Sequence, residues 1–208
     1  MKYDGILFDL DGTLWNATDA ITVSWADALK DAPDVEQLPT KEQLESVMGM
    51  TAEELMATLF PTLTKERHLE LFERCCQVEN VYLREHGGTL YPEMEETLSR
   101  LSEKLPLFIV SNCNAEYIPC FLDAHKLHSY FRDWECIGRT GKPKGDNIQL
   151  VVQRNGLEHP VYIGDTSMDQ DAAGKAGVPF IHAAYGFGQV TGTPKIQAPK
   201  ELLKLLED

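Results

Sequence analysis

The chain has 208 residues, 43% of them hydrophobic and 25% charged, which is the balance of an ordinary soluble globular protein and enough length for one core with a small accessory unit. A formal net charge of −14, with no cluster of Lys and Arg, argues against general nucleic-acid binding, and no apolar run is long enough to span a membrane. Five cysteines, an odd number without CxxC spacing, fit reduced thiols rather than a disulfide framework or a zinc site, so a cytoplasmic protein is expected.

The first element is GILFDL (5–10), an apolar run that reads as a buried strand and ends on Asp9 and Asp11. From 16 to 88 the texture is helical throughout. Thr40 with Gln43 and Thr51 with Glu54 match reciprocal N-terminal capping pairs. A long helix is expected from after Thr64 to about His86, with Leu69, Phe72, Cys76, Val78 and Leu83 as its apolar positions and Gly87-Gly88 as its end. Tyr91-Pro92 marks the return to the core, followed by a helix in PEMEETLSRLSEK. Beyond Pro106, strand-like PLFIVSN, PVYIGD and VPFIHA alternate with helical YIPCFLDAHKL, DNIQLVVQRNGL and MDQDAAGKAG. Such alternation predicts a parallel sheet with crossover helices. The expected fold is therefore α/β: a three-layer α/β/α Rossmann-like core (1–15 and 89–208) with a small all-helical cap (16–88) inserted after the first strand.

Ligands of open parallel sheets bind at the carboxyl ends of the strands, where Asp9 and Asp11 stand. Residues two apart in an extended segment point to the same side, so both carboxylates can face one site. Their repulsion calls for a cation, and a hard, oxygen-seeking Mg2+ suits two carboxylates. Other strand ends supply complementary groups: the hydroxyl of Ser111 and amide of Asn112, the acids Asp165 and Asp169, and Lys142 and Lys144 in the turn TGKPKGDN. A nucleophilic carboxylate, a metal and a lysine together describe phosphoryl transfer through an aspartyl-phosphate. Taken singly, each motif has a plainer use: Asp-Gly as a turn, Ser111 as a helix cap, the lysines as a solvated loop, and Asp165 and Asp169 as a helix start.

The motifs DLDGT, SN, GKPKGDN and GDTSMD together resemble the four motifs of the haloacid dehalogenase superfamily, over nearly the whole chain. The resemblance is to its phosphoglycolate-phosphatase-like hydrolases, whose helical cap also follows the first strand. It implies Asp9 as nucleophile, Asp11 as general acid and base, Ser111 as a phosphoryl contact, Lys142 as charge stabiliser, and Asp9, Asp11, Asp165 and Asp169 around Mg2+, with Asp169 binding or positioning the metal and the lysine. Either lysine of the turn could reach the phosphoryl group; family spacing to Asp146 favours Lys142. Thr13 and Asn112 in the core, and Met48, Met50 and Thr51 in the cap, are the expected substrate contacts.

Haloacid dehalogenases themselves lack the second aspartate of DLDGT, so Asp11 points to phosphate esters. Sugar-phosphate mutases of this fold carry a basic residue in the cap loop; the stretch from Met48 to Glu54 has none, which favours a hydrolase. The resemblance thus implies a Mg2+-dependent phosphatase of a small phosphorylated metabolite, phosphoglycolate-like or a sugar phosphate, acting as a monomer or homodimer without nucleic acid or membrane. A nucleotide or pyrophosphate hydrolase, a phosphomutase, and a catalytically retired interaction module remain alternatives. Two further features read as structural. Gly186, Gly188 and Gly192 suggest a loop near the site, and Trp15 and Trp25 suggest packing residues.

Overall fold

A computed structural model describes residues 2–206 of the chain; the outermost positions of the expected core, 1, 207 and 208, lie outside the described residues. The central strand, β1 (Gly5–Phe8), is followed by a short β2 (Trp15–Asn16) and by four helices, α1 (Thr18–Leu29), α2 (Lys41–Ser46), α3 (Ala52–Leu59) and α4 (Lys65–His86). Then come β3 (Thr89–Leu90), α5 (Met94–Ser102), β4 (Leu107–Ser111), α6 (Tyr117–His125), β5 (Phe131–Cys136), α7 (Ile137–Thr140), α8 (Lys144–Asn155), β6 (Pro160–Gly164), α9 (Ser167–Ala176), β7 (Phe180–Ala183), β8 (Lys195–Ile196) and a closing 3-10 turn over Pro199–Leu206.

Six strands form one parallel sheet in the order β5-β4-β1-β6-β7-β8. Alternation along each strand divides the core into two layers. Ile6 and Phe8 of β1 and Ile109 of β4 face one layer, packed with α5 and α6. Leu7, Phe108, Val110 and Tyr162 face the other, under α8 and α9. The chain moves outward from β1 in both directions, through β4 on one side and β6 on the other, so the crevice at the end of β1 is a topological switch point. This is the expected three-layer α/β/α arrangement.

β2 and β3 pair antiparallel, Trp15 opposite Leu90 and Asn16 opposite Thr89, so the chain leaves for the helical segment and returns from it through one narrow ribbon. Helices α2 and α3 begin with the two reciprocal capping pairs anticipated from sequence, and Thr64 caps α4. The apolar stripe of α4 departs from expectation: Leu69 is 71% exposed, while Leu71, Cys75, Cys76, Glu79 and Leu83 form the buried face against α1 and α6. These positions recur every three to four residues and define the stripe more tightly than one through Leu69.

Trp15 anchors the ribbon. It is fully buried and makes edge-to-face contacts with Phe121 at 5.0 Å and Tyr117 at 5.7 Å between ring centroids. Replacing a buried aromatic with alanine costs about 3–5 kcal/mol. Trp15→Ala is expected to lower unfolding stability by about that amount in urea titration; a loss below about 1 kcal/mol would mean that the ribbon is not anchored by this residue.

Candidate active site

β1 ends at Phe8, and the chain then turns through Asp9, Asp11 and Gly12. Gly12 has a positive φ of 81° and sits against the Asp165 carboxylate so closely that a Cβ would collide with it. Only glycine satisfies both the backbone and the space. Asp165 follows β6, whose Gly164 lies equally close to Asp169. Asp169 enters the site from the first turn of α9, where Thr166 caps the helix and its backbone N–H and hydroxyl both donate to Asp169 Oδ2. The Gly186–Gly188 loop packs on Asp165 from the other side, and the Phe187 N–H donates to Asp165 Oδ2 at 2.8 Å. The glycine-rich segment is thus the loop by the site that its sequence suggested.

Lys144 joins these acids. Its ammonium donates to Asp9 Oδ1 at 2.8 Å and to Asp169 Oδ1 at 2.7 Å, with all three side chains at most 4% exposed. Burial pulls a lysine down, but the charges of Asp169 and Asp9 outweigh it and hold the Lys144 ammonium well above its ordinary value. Lys142, favoured from family spacing, is exposed. Its N–H donates to the Thr140 hydroxyl and its carbonyl accepts from the Asn147 amide, which fixes the turn. Extended Pro143 redirects the chain and α8 starts at Lys144, on the same buried face as Ile148 and Val151. The turn thus brings Lys144, and not Lys142, to the acids.

Asp11 takes a different direction from Asp9. Its Oδ1 accepts a hydrogen bond from the Tyr117 hydroxyl at 2.9 Å. Burial, then the nearby Asp9 charge, push its pKa up to about 7, against the lowering effect of Tyr117. A carboxyl group of that pKa can both give and take a proton near neutrality. Burial, then the Asp169 charge, raise Asp9 to about 6, and burial, then the Asp9 charge, raise Asp165 to about 8.

Asp9, Asp165 and Asp169 present carboxylate oxygens within 4.8 Å of one another. The Asp11 carboxylate does not join them, because it turns to Tyr117. Asp165 Oδ1 is buried without a partner, a vacant acceptor within an all-oxygen donor set. That set fits a hard divalent cation such as Mg2+. Asp169 already accepts bonds at both oxygens, which suits it more to holding Lys144 than to binding the ion.

The remaining predicted contacts divide. Ser111 is buried at the end of β4, and Thr13 is fully buried with its hydroxyl unpartnered. Asn112 lines the cavity that opens beside Asp11: its Nδ2 donates to the Gly49 carbonyl of the helical segment at 3.0 Å, closing that segment onto the core, and its Oδ1 is buried without a partner. Met48 and Met50 line a cavity of about 70 Å³ that begins at Asp11, whereas Thr51 does not line it. The Thr51 hydroxyl is bound to Glu54 in the cap of α3. Sequence reasoning took Trp25 for a packing residue and did not single out Tyr117 or Glu79. The last had a signal, a carboxylate in the Cys75, Cys76, Leu83 stripe of α4.

The sequence model described as "Haloacid dehalogenase-like hydrolase" matches residues 6–183. The chain belongs to this family of hydrolases. Among curated relatives, a phosphoglycolate phosphatase of Photorhabdus laumondii is 30% identical over 198 residues, covering 88% of this chain and 80% of the relative. One from Aquifex aeolicus is 28% identical over 214 residues, covering 98% and 96%. Among solved structures, a predicted phosphoglycolate phosphatase from Haemophilus somnus superposes with a TM-score of 0.86 at 22% identity, over 99% of each chain, and supports the haloacid dehalogenase-like fold. No helix among the described residues is long and apolar enough to cross a membrane.

A ligand that binds only the folded state raises its melting temperature. Adding millimolar Mg2+ to chelator-stripped protein is expected to raise Tm by several degrees, and Asp165→Asn to abolish the rise. An unchanged Mg2+ response in Asp165→Asn would remove this residue from the ion's site.

Proposed function

We propose that this hydrolase is a Mg2+-dependent phosphatase that cleaves a small phosphomonoester through an aspartyl-phosphate on Asp9. The observation that carries the reading is the Asp9 carboxylate held by Lys144, with Asp11 two residues on and bonded to Tyr117. Lys144 fixes Asp9 Oδ1, leaving the other carboxylate oxygen to attack phosphorus. As the P–O bond to the leaving group breaks, Asp11 gives its proton to the departing oxygen. A water then gives a proton to Asp11 and attacks phosphorus, breaking the bond to Asp9 and releasing inorganic phosphate. The Ser111 hydroxyl is suited to hydrogen-bond a phosphoryl oxygen, and Lys144 to balance its negative charge. When bound by Asp9 and Asp165, Mg2+ would supply further positive charge to the phosphoryl oxygens.

In this reading residues 16–88 are a cap that shuts over a core of 1–15 and 89–208, hinged at the β2–β3 ribbon and latched by Asn112 on Gly49. Closure excludes water other than the nucleophile. Phosphoglycolate, a triose phosphate and similar short esters are the size of substrate that the cavity suits; a nucleotide, a pyrophosphate or the second phosphate of a mutase substrate would require cationic partners that the cap loop from Met48 to Glu54 lacks. A monomer or homodimer acting in the cytoplasm fits the reduced thiols, of which Cys113 is pushed well up by burial and is unsuited to reactivity.

The test is turnover of short phosphomonoesters with Mg2+. Asp9→Asn is expected to abolish it, and Lys144→Ala to lower kcat by at least about 100-fold, on the scale of losing one electrostatic stabiliser of the transition state. Lys142→Ala is expected to stay within about twofold of the parent, as an exposed surface change does. Equal losses for the two lysine variants, or substantial activity in Asp9→Asn, would contradict the assignment.

A further inference from the structure

The leaving group must lie beside Asp11, the residue that protonates it, and the cavity that opens there is built by both the core and the cap. Its walls are mainly apolar, from Ile21, Leu44, Met48, Met50 and Phe72. Among the described residues that line it there is no lysine, arginine or histidine. Besides Asp11, its polar lining comes from Asn112, Asn114 and Tyr117 of the core and from a second carboxyl group, Glu79 of α4, which is 5% exposed. The Trp25 indole N–H donates to Glu79 Oε2 at 2.6 Å and holds the side chain in place. Trp25 is its only bonding partner among the described residues, so Oε1 is left for a ligand. Burial pushes the Glu79 pKa up to about 8, against the lowering effect of Trp25, so near neutrality it carries a proton and can donate as well as accept.

A carboxylate brought into this space would lose its hydration with no cation to pair with it. A hydroxyl needs no counter-charge, and one bond with Glu79 satisfies it. At about 10–15 Å³ for each water-sized group, the cavity of about 70 Å³ takes roughly five such groups.

We infer that the substrate is the phosphate ester of a short, neutral, hydroxylated alcohol rather than of a hydroxy acid, and that Glu79 is the residue that selects it, by hydrogen-bonding a substrate hydroxyl. The inference rests on the phosphatase reading and narrows it. It also separates this chain from its curated relatives named for phosphoglycolate, a substrate that ends in a carboxylate.

Four two-carbon phosphates of nearly equal length test it: 2-hydroxyethyl phosphate, ethyl phosphate, 2-phosphoglycolate and 2-aminoethyl phosphate, each assayed for kcat/KM with Mg2+. The wild type is expected to prefer the hydroxyethyl ester over ethyl phosphate and over 2-phosphoglycolate by about tenfold or more, the scale of a buried polar group left unpaired. Glu79→Leu is expected to bring the hydroxyethyl-to-ethyl ratio to within about twofold of unity, whatever the absolute rates, and Glu79→Gln, which still hydrogen-bonds, to restore the preference. Should Glu79→Leu fail to fold, the wild-type ranking and Glu79→Gln decide the matter. Preference for 2-phosphoglycolate or 2-aminoethyl phosphate would overturn the inference while leaving the phosphatase reading intact, and so would an unchanged ratio in Glu79→Leu. Hydrolysis of none of the four, nor of p-nitrophenyl phosphate, would remove both.

Discussion

One buried ammonium holds the site together. Asp9, Asp165 and Asp169 crowd three carboxylates into a space where burial and mutual repulsion disfavour ionisation, and Lys144 is the cation that bonds two of them. Each acid arrives from a separate part of the chain: Asp9 from the end of β1, Asp165 from the end of β6, Asp169 from the first turn of α9. Lys144 comes from the start of α8. The parallel sheet brings these four points to one edge, and Gly12, Gly164 and Gly186 permit the close approach by having no side chain there. In the proposed reading a divalent cation meeting the unpartnered Asp165 Oδ1 would complete the charge balance.

The same arrangement reconciles an acidic protein with an anionic substrate. With a net charge of −14, the chain offers no general attraction for phosphate. In the proposed reading positive charge is concentrated at Lys144 and at a bound ion in a poorly solvated crevice, where each charge acts more strongly than in water. The helical segment over that crevice contributes shape and one acid, Glu79, and no cation to the cavity lining. In the proposed reading the core furnishes groups needed for any phosphoryl transfer, while the segment above it meets the part of the substrate that varies.

Much of this was legible in the sequence, and the exceptions have identifiable causes. The parallel sheet with its crossover helices, the reciprocal caps at Thr40 and Thr51 and the acids at strand ends follow from local patterns: alternation, capping pairs and turn residues. Spacing within a loop was a weaker guide. Lys142 and Lys144 are two residues apart, and what separates them is where α8 begins, a boundary that Pro143 sets and that the face shared with Ile148 and Val151 reveals. Thr51 was legible as a cap, and its hydroxyl is bonded to Glu54. Tyr117 reaches Asp11 across 106 positions of chain, a pairing that no local pattern encodes. Glu79 interrupts an apolar stripe, and a charge in such a stripe is a signal only when the stripe is drawn through Leu71, Cys75 and Leu83 rather than through exposed Leu69.

The central claim is that Asp9 becomes covalently phosphorylated. An aspartyl-phosphate trapped by acid quench during turnover can be reduced with borohydride, which converts the modified aspartate to homoserine and marks its position in a peptide mass spectrum. The account predicts that mark at position 9 alone, dependent on substrate and on Mg2+. A mark at another aspartate, or steady turnover with no mark under conditions that trap acyl-phosphates, would contradict it.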